Sequence, residues 1–392
     1  MRSSLAPVLA AVLALGGCSA QPADRPDAAP VAAADHADGH EDGDEHSTKA
    51  PAPRPLREGE ERLTLEMPEA YSPSAPTGVG TDDYRCFLLD PELERDAFIT
   101  GTHVIPGNRE SVHHVILFQV TPDQVAEAEQ TDAEADGPGW TCFGGSGVGG
   151  FQDLDDAQWL GAWAPGGRES VLRPGIGTPL QEGSRIVMQV HYNLLAGDEP
   201  DVSATELRLA PDDAGTQPLS TMLMPAPVEL PCRPGHDSSE LCDRDAAVAD
   251  VQARFGLGAG NTADALHYLC PGEQRPGNVQ SCTRSVDEPM TIQGVAGHMH
   301  LLGRSITVEV NPGTPEARTI LDLPVWNFDD QGARAIDPVR LEAFDEVRVT
   351  CRHDQRLRDL LPAFEGQEER YVLWGEGTTD EMCLGILQVT RR

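Results

Sequence analysis

Five histidines and one methionine are the residues whose types and spacing best suit chemistry in this chain. They are His113 and His114, adjacent in SVHHVILF; His191, which closes VMQVHY; His298 and His300, an HxH pair in GHMHLLG; and Met382, in TTDEMCLGI. Imidazole nitrogens and a thioether sulfur are both metal ligands. These residues are therefore the candidates for metal-binding chemistry.

The spacing of the histidines predicts which way their side chains point on a strand. Side chains alternate along an extended strand, so His298 and His300 would point to one side and make a ready chelate. His113 and His114 would face opposite ways, so joint binding needs a strand end, a twist or a bulge. Taken alone, His191 is typical of a core histidine with a hydrogen-bond partner and Met382 of a core side chain, so no single residue establishes a site.

The elements that must position these residues are short strands. The strand-like runs from Arg62 onward are rich in β-branched or aromatic residues. They are Val112–Val120, Arg185–Tyr192, Ser305–Val310, Glu346–Cys351 and Tyr371–Trp374. The 39 glycines and 32 prolines indicate many turns and argue against a helical bundle. We predict an all-β chain of two antiparallel sandwiches that change over within 211–220, with short helices at Asp123–Glu129 and Arg244–Phe255.

Composition excludes several functions. The hydrophobic share of 39% rises by roughly ten points when the 39 glycines are counted, which gives the apolar share of an ordinary globular protein. The net charge of −35 would repel phosphate backbones, so we expect no nucleic-acid partner. Beyond the N-terminus there is no apolar run of the length that spans a membrane.

The N-terminus predicts export. Arg2 precedes an apolar run over Leu5–Leu15, and the small residues before Cys18 resemble a bacterial lipoprotein cleavage site, after which Cys18 is lipidated. An ordinary secretory signal is the alternative. Ser19 carries no obvious retention signal for the inner membrane, which favours the outer membrane or cell surface. We expect the membrane to be contacted by the lipid anchor only.

Residues 19–61 predict a disordered acidic tether between the signal, 1–18, and the folded chain. They are rich in Ala, Pro, Asp and His and contain almost no large apolar side chain, so they cannot offset the entropy of ordering. His36, His40 and His46 could bind Cu²⁺ or Zn²⁺ loosely. A solvated linker is the plainer interpretation.

Eight cysteines remain after Cys18, an even number that suggests up to four disulfides in an exported chain. They are Cys86, Cys142, Cys232, Cys242, Cys270, Cys282, Cys351 and Cys383. None forms a CxxC pair, so a zinc ribbon is not expected. The sequence alone leaves the connectivity open.

Longer blocks around the candidate ligands resemble one family. PGNRESVHHVILF, AWAPGG, PGIGTPL, GSRIVMQVHYN, GHMHLLG and WGEGTTDEMC occur in the same order as in the copper type II, ascorbate-dependent monooxygenases. That family includes peptidylglycine α-hydroxylating monooxygenase and dopamine β-monooxygenase. The resemblance covers about residues 62–392.

The resemblance implies two jelly-roll-like domains, 62–213 and 214–392, each carrying one copper across a solvent-filled cleft. The first copper would be bound by His113, His114 and His191, and the second by His298, His300 and Met382. The ligand types agree, because imidazole suits copper in both oxidation states and a thioether favours Cu(I). Zinc, which more often takes carboxylate or thiolate, is the minor alternative.

The implied function is an exported copper monooxygenase. The three-histidine copper would store and pass electrons, while the copper on His298, His300 and Met382 would bind O₂. Ascorbate or a similar donor supplies two electrons, one oxygen atom enters a C–H bond and the other leaves as water. Gln189 matches a family glutamine and is expected to orient water near the first copper, or else to be an ordinary strand residue.

The resemblance also implies the disulfides Cys86–Cys142 and Cys351–Cys383, the second of which would hold the strand bearing Met382. In the family, the counterpart of Cys282 pairs with a cysteine near the C-terminus that this chain lacks. We therefore expect Cys270–Cys282 and Cys232–Cys242, in a region that looks like an insertion between the domains.

The substrate does not follow from the resemblance. The arginine that binds the peptide carboxylate in the amidating enzymes is Ala296 here, and their peptide-binding asparagine and tyrosine are Leu384 and Ile386. A buried carboxylate would lack a cation, so a C-terminal glycine peptide is not expected. No residue can be nominated to recognise a catechol. Small Ala296 and Gly297 with Leu384 and Ile386 suggest a small, more apolar organic substrate.

Two other functions remain open. One is a copper-binding or copper-buffering lipoprotein without turnover, and the other is a surface-anchored adhesion or binding module. The presence of all six ligands favours the enzyme, because a buffer needs neither two separate sites nor an open coordination position. No protein partner is predicted.

Overall fold

The computed structural model describes residues 53–76, 80–150, 153–212, 215–270, 272 and 275–391. The predicted signal 1–18, the predicted lipidation site Cys18 and residues 19–52 of the tether, with His36, His40 and His46, lie outside the described residues. Everything below concerns the described ranges.

Strands dominate the fold, and the predicted all-β class is confirmed. The strands that precede residue 212 are β1 (Glu61–Glu66), β2 (Asp82–Leu89), β3 (Ala97–Ile105), β4 (Val112–Val120), β5 (Trp140–Thr141), β6 (Trp159–Trp163), β7 (Ser170–Val171), β8 (Ile176–Leu180), β9 (Arg185–Asn193) and β10 (Ala204–Pro211). Those that follow are β11 (Gln217–Pro225), β12 (Glu229–Leu230), β13 (Val279–Ser285), β14 (Met290–His298), β15 (Gly303–Val310), β16 (Arg318–Leu323), β17 (Arg334–Leu341), β18 (Glu346–His353), β19 (Val372–Leu373) and β20 (Leu384–Arg391).

The N-terminal half is a sandwich of two sheets. One sheet has the order β5-β2-β9-β4-β6, and the facing strands have the order β1-β10-β3-β8. Alternating apolar residues meet between them, among them Phe87 of β2, Leu117 of β4 and Leu207 of β10, all fully buried. The candidate strands β4 and β9 therefore lie side by side in one rigid sheet.

The C-terminal half repeats this plan. A sheet of order β13-β18-β15-β16 faces strands of order β11-β20-β14-β17. Val308, Val349 and Leu387 are fully buried between the two layers. Here β14 and β20 are antiparallel neighbours, with His298 paired to Leu384.

The two halves share a sheet. In a nine-stranded sheet, β8 of the first half pairs with β11 of the second through Ile176–Gln217 and Gly177–Pro218 in parallel register. β11 then continues beside β20. The changeover predicted within 211–220 thus falls inside a continuous sheet.

Two α-helices occur in the described ranges. α1 spans Val125–Glu134, a few residues beyond the predicted segment. α2 spans Arg244–Leu269 and is capped by the Asp243 side chain. Its start matches the prediction, but it continues to Leu269 after an interruption at Gly256, whose φ is 88°. Glycine adopts that backbone angle without the strain a side chain would impose, so the helix resumes beyond the break.

Four disulfides join the described cysteines: Cys86–Cys142, Cys232–Cys242, Cys270–Cys282 and Cys351–Cys383. All four expected pairings are present, which is typical of proteins that fold in an oxidising, extracytoplasmic compartment. No described helix combines the length and apolarity that crossing a bilayer would need.

Candidate metal centre

The first three histidines meet through a strand irregularity. His114 of β4 pairs directly with His191 of β9, and the register shifts between Val112 and His114, which makes His113 the extra residue of a bulge. The rings of His114 and His191 have centroids 4.7 Å apart, and those of His113 and His191 are 5.3 Å apart. The bulge that joint binding required is therefore present.

Asp82 of β2 orients His191. Oδ1 of Asp82 lies 2.8 Å from Nε2 of His191, while Nδ1 of that ring has no partner. Burial alone would raise the pKa of the Asp82 carboxyl, but hydrogen bonds from His191 and from Thr378 and Thr81 hold it at about 2. The carboxylate thus keeps the proton on Nε2 and leaves Nδ1 free, the arrangement common behind metal-binding histidines. Tyr84 stacks on the His191 ring with centroids 4.1 Å apart.

The second set forms where β14 ends and β20 begins. His298 is the last residue of β14 and pairs with Leu384, so the segment that follows His298 lies beside the segment that carries Met382. The rings of His298 and His300 have centroids 5.1 Å apart. Met382 is 7% exposed, and the adjacent Cys383 is bonded to Cys351. The HxH pair sits at a strand end rather than within the strand.

A glutamine sets the tautomer of His298. The Gln331 amide nitrogen donates to the Phe328 carbonyl at 2.7 Å, so its oxygen faces Nδ1 of His298 at 2.6 Å. His298 must therefore donate from Nδ1, which leaves the Nε2 lone pair available. Burial is the main cause that lowers the pKa of His298 to about 3, and the neighbouring His300 lowers it further. This imidazole is therefore neutral at physiological pH.

Glu381 ties the HxH turn to the methionine. Its buried carboxylate accepts the backbone N–H of His300 at 3.2 Å and that of Leu302 at 2.5 Å. Nε2 of His353 lies 3.3 Å from the same carboxylate. Because Glu381 immediately precedes Met382, these bonds fix Met382 relative to His300.

The two sets lie closer together than the resemblance implies. The rings of His114 and His298 have centroids 5.8 Å apart, and Phe328 stacks on His113 at 4.1 Å. The rings of the two sets are therefore in contact here, and the open space lies beside them. The physical reason is that the loop before Met382 is hydrogen-bonded onto β2, through Thr378 to Asp82 and through Tyr84 to the Glu376 carbonyl.

The donor atoms fit a metal, although they are not yet grouped around one position. Across the described ranges, no three or more His, Cys, Asp or Glu side chains already form a group that could hold a metal ion. Nε2 of His113, Nδ1 of His191 and both ring nitrogens of His300 are nevertheless buried without a partner. Burial is the main reason that the pKa values of His113 and His114 lie well below the ordinary range, so both stay neutral as metal ligation requires. Imidazole with a thioether is a donor set that suits copper.

A cavity of about 970 Å³ opens beside the histidines. His114, His298 and Met382 line it, and most of its other walls are apolar. The positions discussed for substrate all line it, namely Ala296, Gly297, Leu384 and Ile386. The second part of α2 forms one wall with a stripe of residues at helical spacing: Gly258, Asn261, Thr262, Ala265, Leu266 and Leu269. The region expected to be an insertion thus shapes the cavity.

Gln189 also lines this cavity and is 2% exposed. Its amide nitrogen donates to the Gly145 carbonyl at 2.7 Å and lies 3.7 Å from Sγ of Cys142. The side chain is thus anchored to the loop that follows a disulfide. Its role in orienting water stays a prediction.

Sequence reasoning missed the residues that hold the ligands, namely Asp82, Tyr84, Gln331, Thr378 and Glu381. Two signals pointed towards them. DDYRC places acids and a tyrosine beside a disulfide cysteine, and TTDEMC places hydroxyls and acids directly before the methionine. Gln331 carries no comparable local signal.

The fold and the site define a protein of two β-sandwiches with a buried histidine–methionine cluster at their junction. No family model and no curated protein matches this chain. Among solved structures, the major capsid protein P2 from bacteriophage PM2 is similar at 9% identity and a TM-score of 0.27, over 84% of this chain and 97% of that one. An allantoicase aligns at 14% identity and 0.16 over 75% and 78%, and procruciferin, an 11S globulin from Brassica napus, at 10% and 0.16 over 84% of each. Similarities this distant carry no argument about function.

Proposed function

We propose that the chain is an exported copper-dependent monooxygenase that hydroxylates a C–H bond of a small organic substrate. The observation that carries the proposal is one group of five neighbouring imidazole rings that faces a largely apolar cavity. His113, His191 and His300 have buried nitrogens without a partner, and His114 and His298 line the cavity together with Met382. The balanced reaction takes O₂, two electrons from ascorbate or a similar one-electron donor, and two protons. One oxygen atom is inserted into the C–H bond, and the other leaves as water.

Each ligand set has its own support. His113, His114 and His191 would hold one copper, with Asp82 keeping the proton on the far nitrogen of His191. His298, His300 and Met382 would hold the other, with Gln331 doing the same for His298. Bound copper supplies one-electron redox chemistry and the activation of O₂. The chain itself orients the rings, and burial lowers the pKa values of His113, His114 and His298 so that these imidazoles are neutral.

The walls of the cavity favour an apolar substrate. Ala296, Leu384 and Ile386 offer no charge to a carboxylate, and burying an unpaired carboxylate there would be costly. The arginines that line the cavity, Arg54, Arg168 and Arg173, are exposed to solvent. A small organic molecule without a carboxylate therefore fits better than a peptide C-terminus.

The proposal includes lipid anchoring through Cys18 to the outer membrane or cell surface. Four disulfides agree with export. Labelling with a radioactive fatty acid tests the anchor, and Cys18→Ser should abolish the label and release the protein from the membrane.

A copper-buffering lipoprotein without turnover is the second candidate. One observation favours it. The five histidine rings lie close together, and their unpartnered nitrogens would serve copper storage as well as catalysis. A binding or adhesion module is a third possibility and would need no copper at all.

The test combines copper counting with oxygen uptake. The purified chain is loaded with copper and supplied with ascorbate and a panel of small apolar substrates. Met382→Leu removes the thioether at similar volume, and Met290→Leu, a buried methionine in the same core, is the matched control.

Two coppers per chain, with substrate-dependent oxygen uptake that is lost in Met382→Leu and kept in Met290→Leu, is the expected result. Two coppers with no uptake on any substrate would favour the buffer. A chain that binds no copper would overturn the ligand assignment.

A further inference from the structure

One carboxylate oxygen of Asp82 contacts both His191, a ligand of the first set, and Thr378, in the loop that leads to Met382. Oδ1 lies 2.8 Å from Nε2 of His191 and also accepts the hydroxyl of Thr378. Its other oxygen accepts the hydroxyl of Thr81 at 2.8 Å. Asp82 and Thr378 are both buried, at 8% and 0% exposure, so water does not compete for these bonds. One carboxylate thus contacts a ligand of the first set and the loop that carries the second.

The loop between Thr378 and Met382 is internally braced. Trp374 pairs with Glu381 in a parallel bridge, and the Gly375 N–H donates to the Glu381 carbonyl at 3.1 Å. The Asp380 N–H donates to the Gly377 carbonyl at 2.8 Å. A displacement of Thr378 would therefore be transmitted to Met382 instead of being absorbed between them.

A second contact runs parallel to the first. Tyr84 lies two residues after Asp82 on β2, so both side chains are on the same face of that strand. Its ring stacks on His191, while its hydroxyl donates to the Glu376 carbonyl at 2.9 Å in the same loop. Alternate residues of β2 thus contact His191 on one side and the Met382 loop on the other.

We propose that Asp82 is a positioning residue for both metal sets. It positions the first set through His191 and the second through Thr378, because the Asp82–Thr378 bond holds Met382 in place for the second metal. The inference rests on the proposed function, because it requires that both sets bind copper. It goes further by assigning the second set a positioning residue, Asp82, that touches none of its ligands.

Removal of the Thr378 hydroxyl tests this at constant shape. Thr378→Val keeps the volume of the side chain, Thr378→Ser restores the hydroxyl, and Thr379→Val changes the neighbouring buried threonine, which has no bond to Asp82. Asp82→Asn is the second variant. The affinity for Cu(I) is measured by competition with a chromophoric chelator, in the full chain and in backgrounds that disable one set, His113→Phe for the first and Met382→Leu for the second.

We expect Thr378→Val to weaken Cu(I) binding at the second set by about tenfold, the lower end of the range for supporting residues, and to leave the first set unchanged. Thr378→Ser should restore wild-type affinity. Asp82→Asn should weaken both sets. Melting temperatures of all variants are compared, and Thr379→Val should leave both affinities unchanged whatever its effect on stability.

The outcomes separate this inference from the proposed function. If wild-type chain binds two Cu(I) ions and Thr378→Val binds both with unchanged affinity, the positioning role is overturned while the metal assignment stands. An effect of Asp82→Asn confined to the first set overturns it equally. If the wild-type chain binds fewer than two ions, both the proposed function and this inference fail.

Discussion

The amide oxygen of Gln331 lies 2.6 Å from Nδ1 of His298, with the amide nitrogen held by the Phe328 carbonyl. This contact determines which nitrogen of His298 carries the proton. It also shows how the second ligand set depends on the loop before β17, which supplies no ligand of its own.

Gln331→Met should therefore weaken Cu(I) binding at the second set. The substitution keeps the length of the side chain but removes the acceptor for Nδ1, and loss of such support typically costs about 10–100-fold in metal affinity. Competition titration in the His113→Phe background measures it. Gln293→Met is the control, because Gln293 lines the same cavity but bonds to Thr390. Equal losses in both variants would contradict the role of Gln331.

Removal of the Cys351–Cys383 disulfide should destabilise the protein and loosen Met382. A double alanine variant at these positions is expected to lose about 2–5 kcal/mol of unfolding free energy and to bind copper at the second set more weakly. Denaturant unfolding and copper titration check the two effects. Removal of Cys232–Cys242, which lies in the region expected to be an insertion, should leave copper binding intact. Unchanged copper binding at the second set after removal of Cys351–Cys383 would contradict the role of this disulfide in holding Met382.

Glu376 gives a pH-dependent prediction. Burial, and then the negative charge of Asp380, raise the pKa of its carboxyl to about 7, against an ordinary value of 4.5. The native state thus holds this proton more tightly than the unfolded state, so the contribution of Glu376 to stability is present below pH 4.5 and is lost as the pH rises towards 7.

Glu376→Gln should remove this dependence. Relative to wild type, the variant should gain stability by about 1.4 kcal/mol for each pH unit between these values. Urea unfolding of both proteins at several pH values from 4.5 to 8 measures the difference. A difference that stays flat, or that shrinks with rising pH, would show that Glu376 is ionised in the native state throughout.

Arg254 of α2 should matter for stability although it lies in the region expected to be an insertion. It donates two hydrogen bonds to the buried carboxylate of Asp380, at 2.7 and 2.8 Å. Arg254→Met would leave that charge without a cation, at a cost of about 3 kcal/mol. Thermal and denaturant unfolding measure the loss. Arg356→Met breaks an exposed pair with Asp354 and should have no measurable effect.

The sequence predicted those parts of the site that depend on local pattern. The runs rich in β-branched and aromatic residues placed β4 and β9. The adjacency of His113 and His114 called for a strand end, a twist or a bulge, and a bulge is present. The family resemblance supplied the disulfides Cys86–Cys142 and Cys351–Cys383, which are present, and a ligand set that stays a prediction. These features follow from residues that are near each other in the chain or belong to one motif.

The remaining features depend on contacts between distant segments. Thr378 and Asp82 are 296 residues apart, and no local pattern pairs them. The second part of α2 was not predicted, because Gly256, Gly258 and Gly260 all disfavour a helix. Burial of Gly260, Ala263 and Leu266 on one side of the helix overrides that preference. This is a tertiary effect that the periodicity of the segment does not reveal.

The pairing of β8 with β11 constrains how this protein could be divided or recombined. Each half has its own hydrophobic core, yet each contributes only part of the nine-stranded sheet. A fragment that stopped at residue 212 would leave β8 with an open edge, and such edges favour aggregation. A chimera that exchanged either half for that of another protein would need to recreate the short parallel pair at Ile176 and Gln217. Exchange, deletion or separate expression of one half therefore has to account for the sheet edge that it exposes in the other.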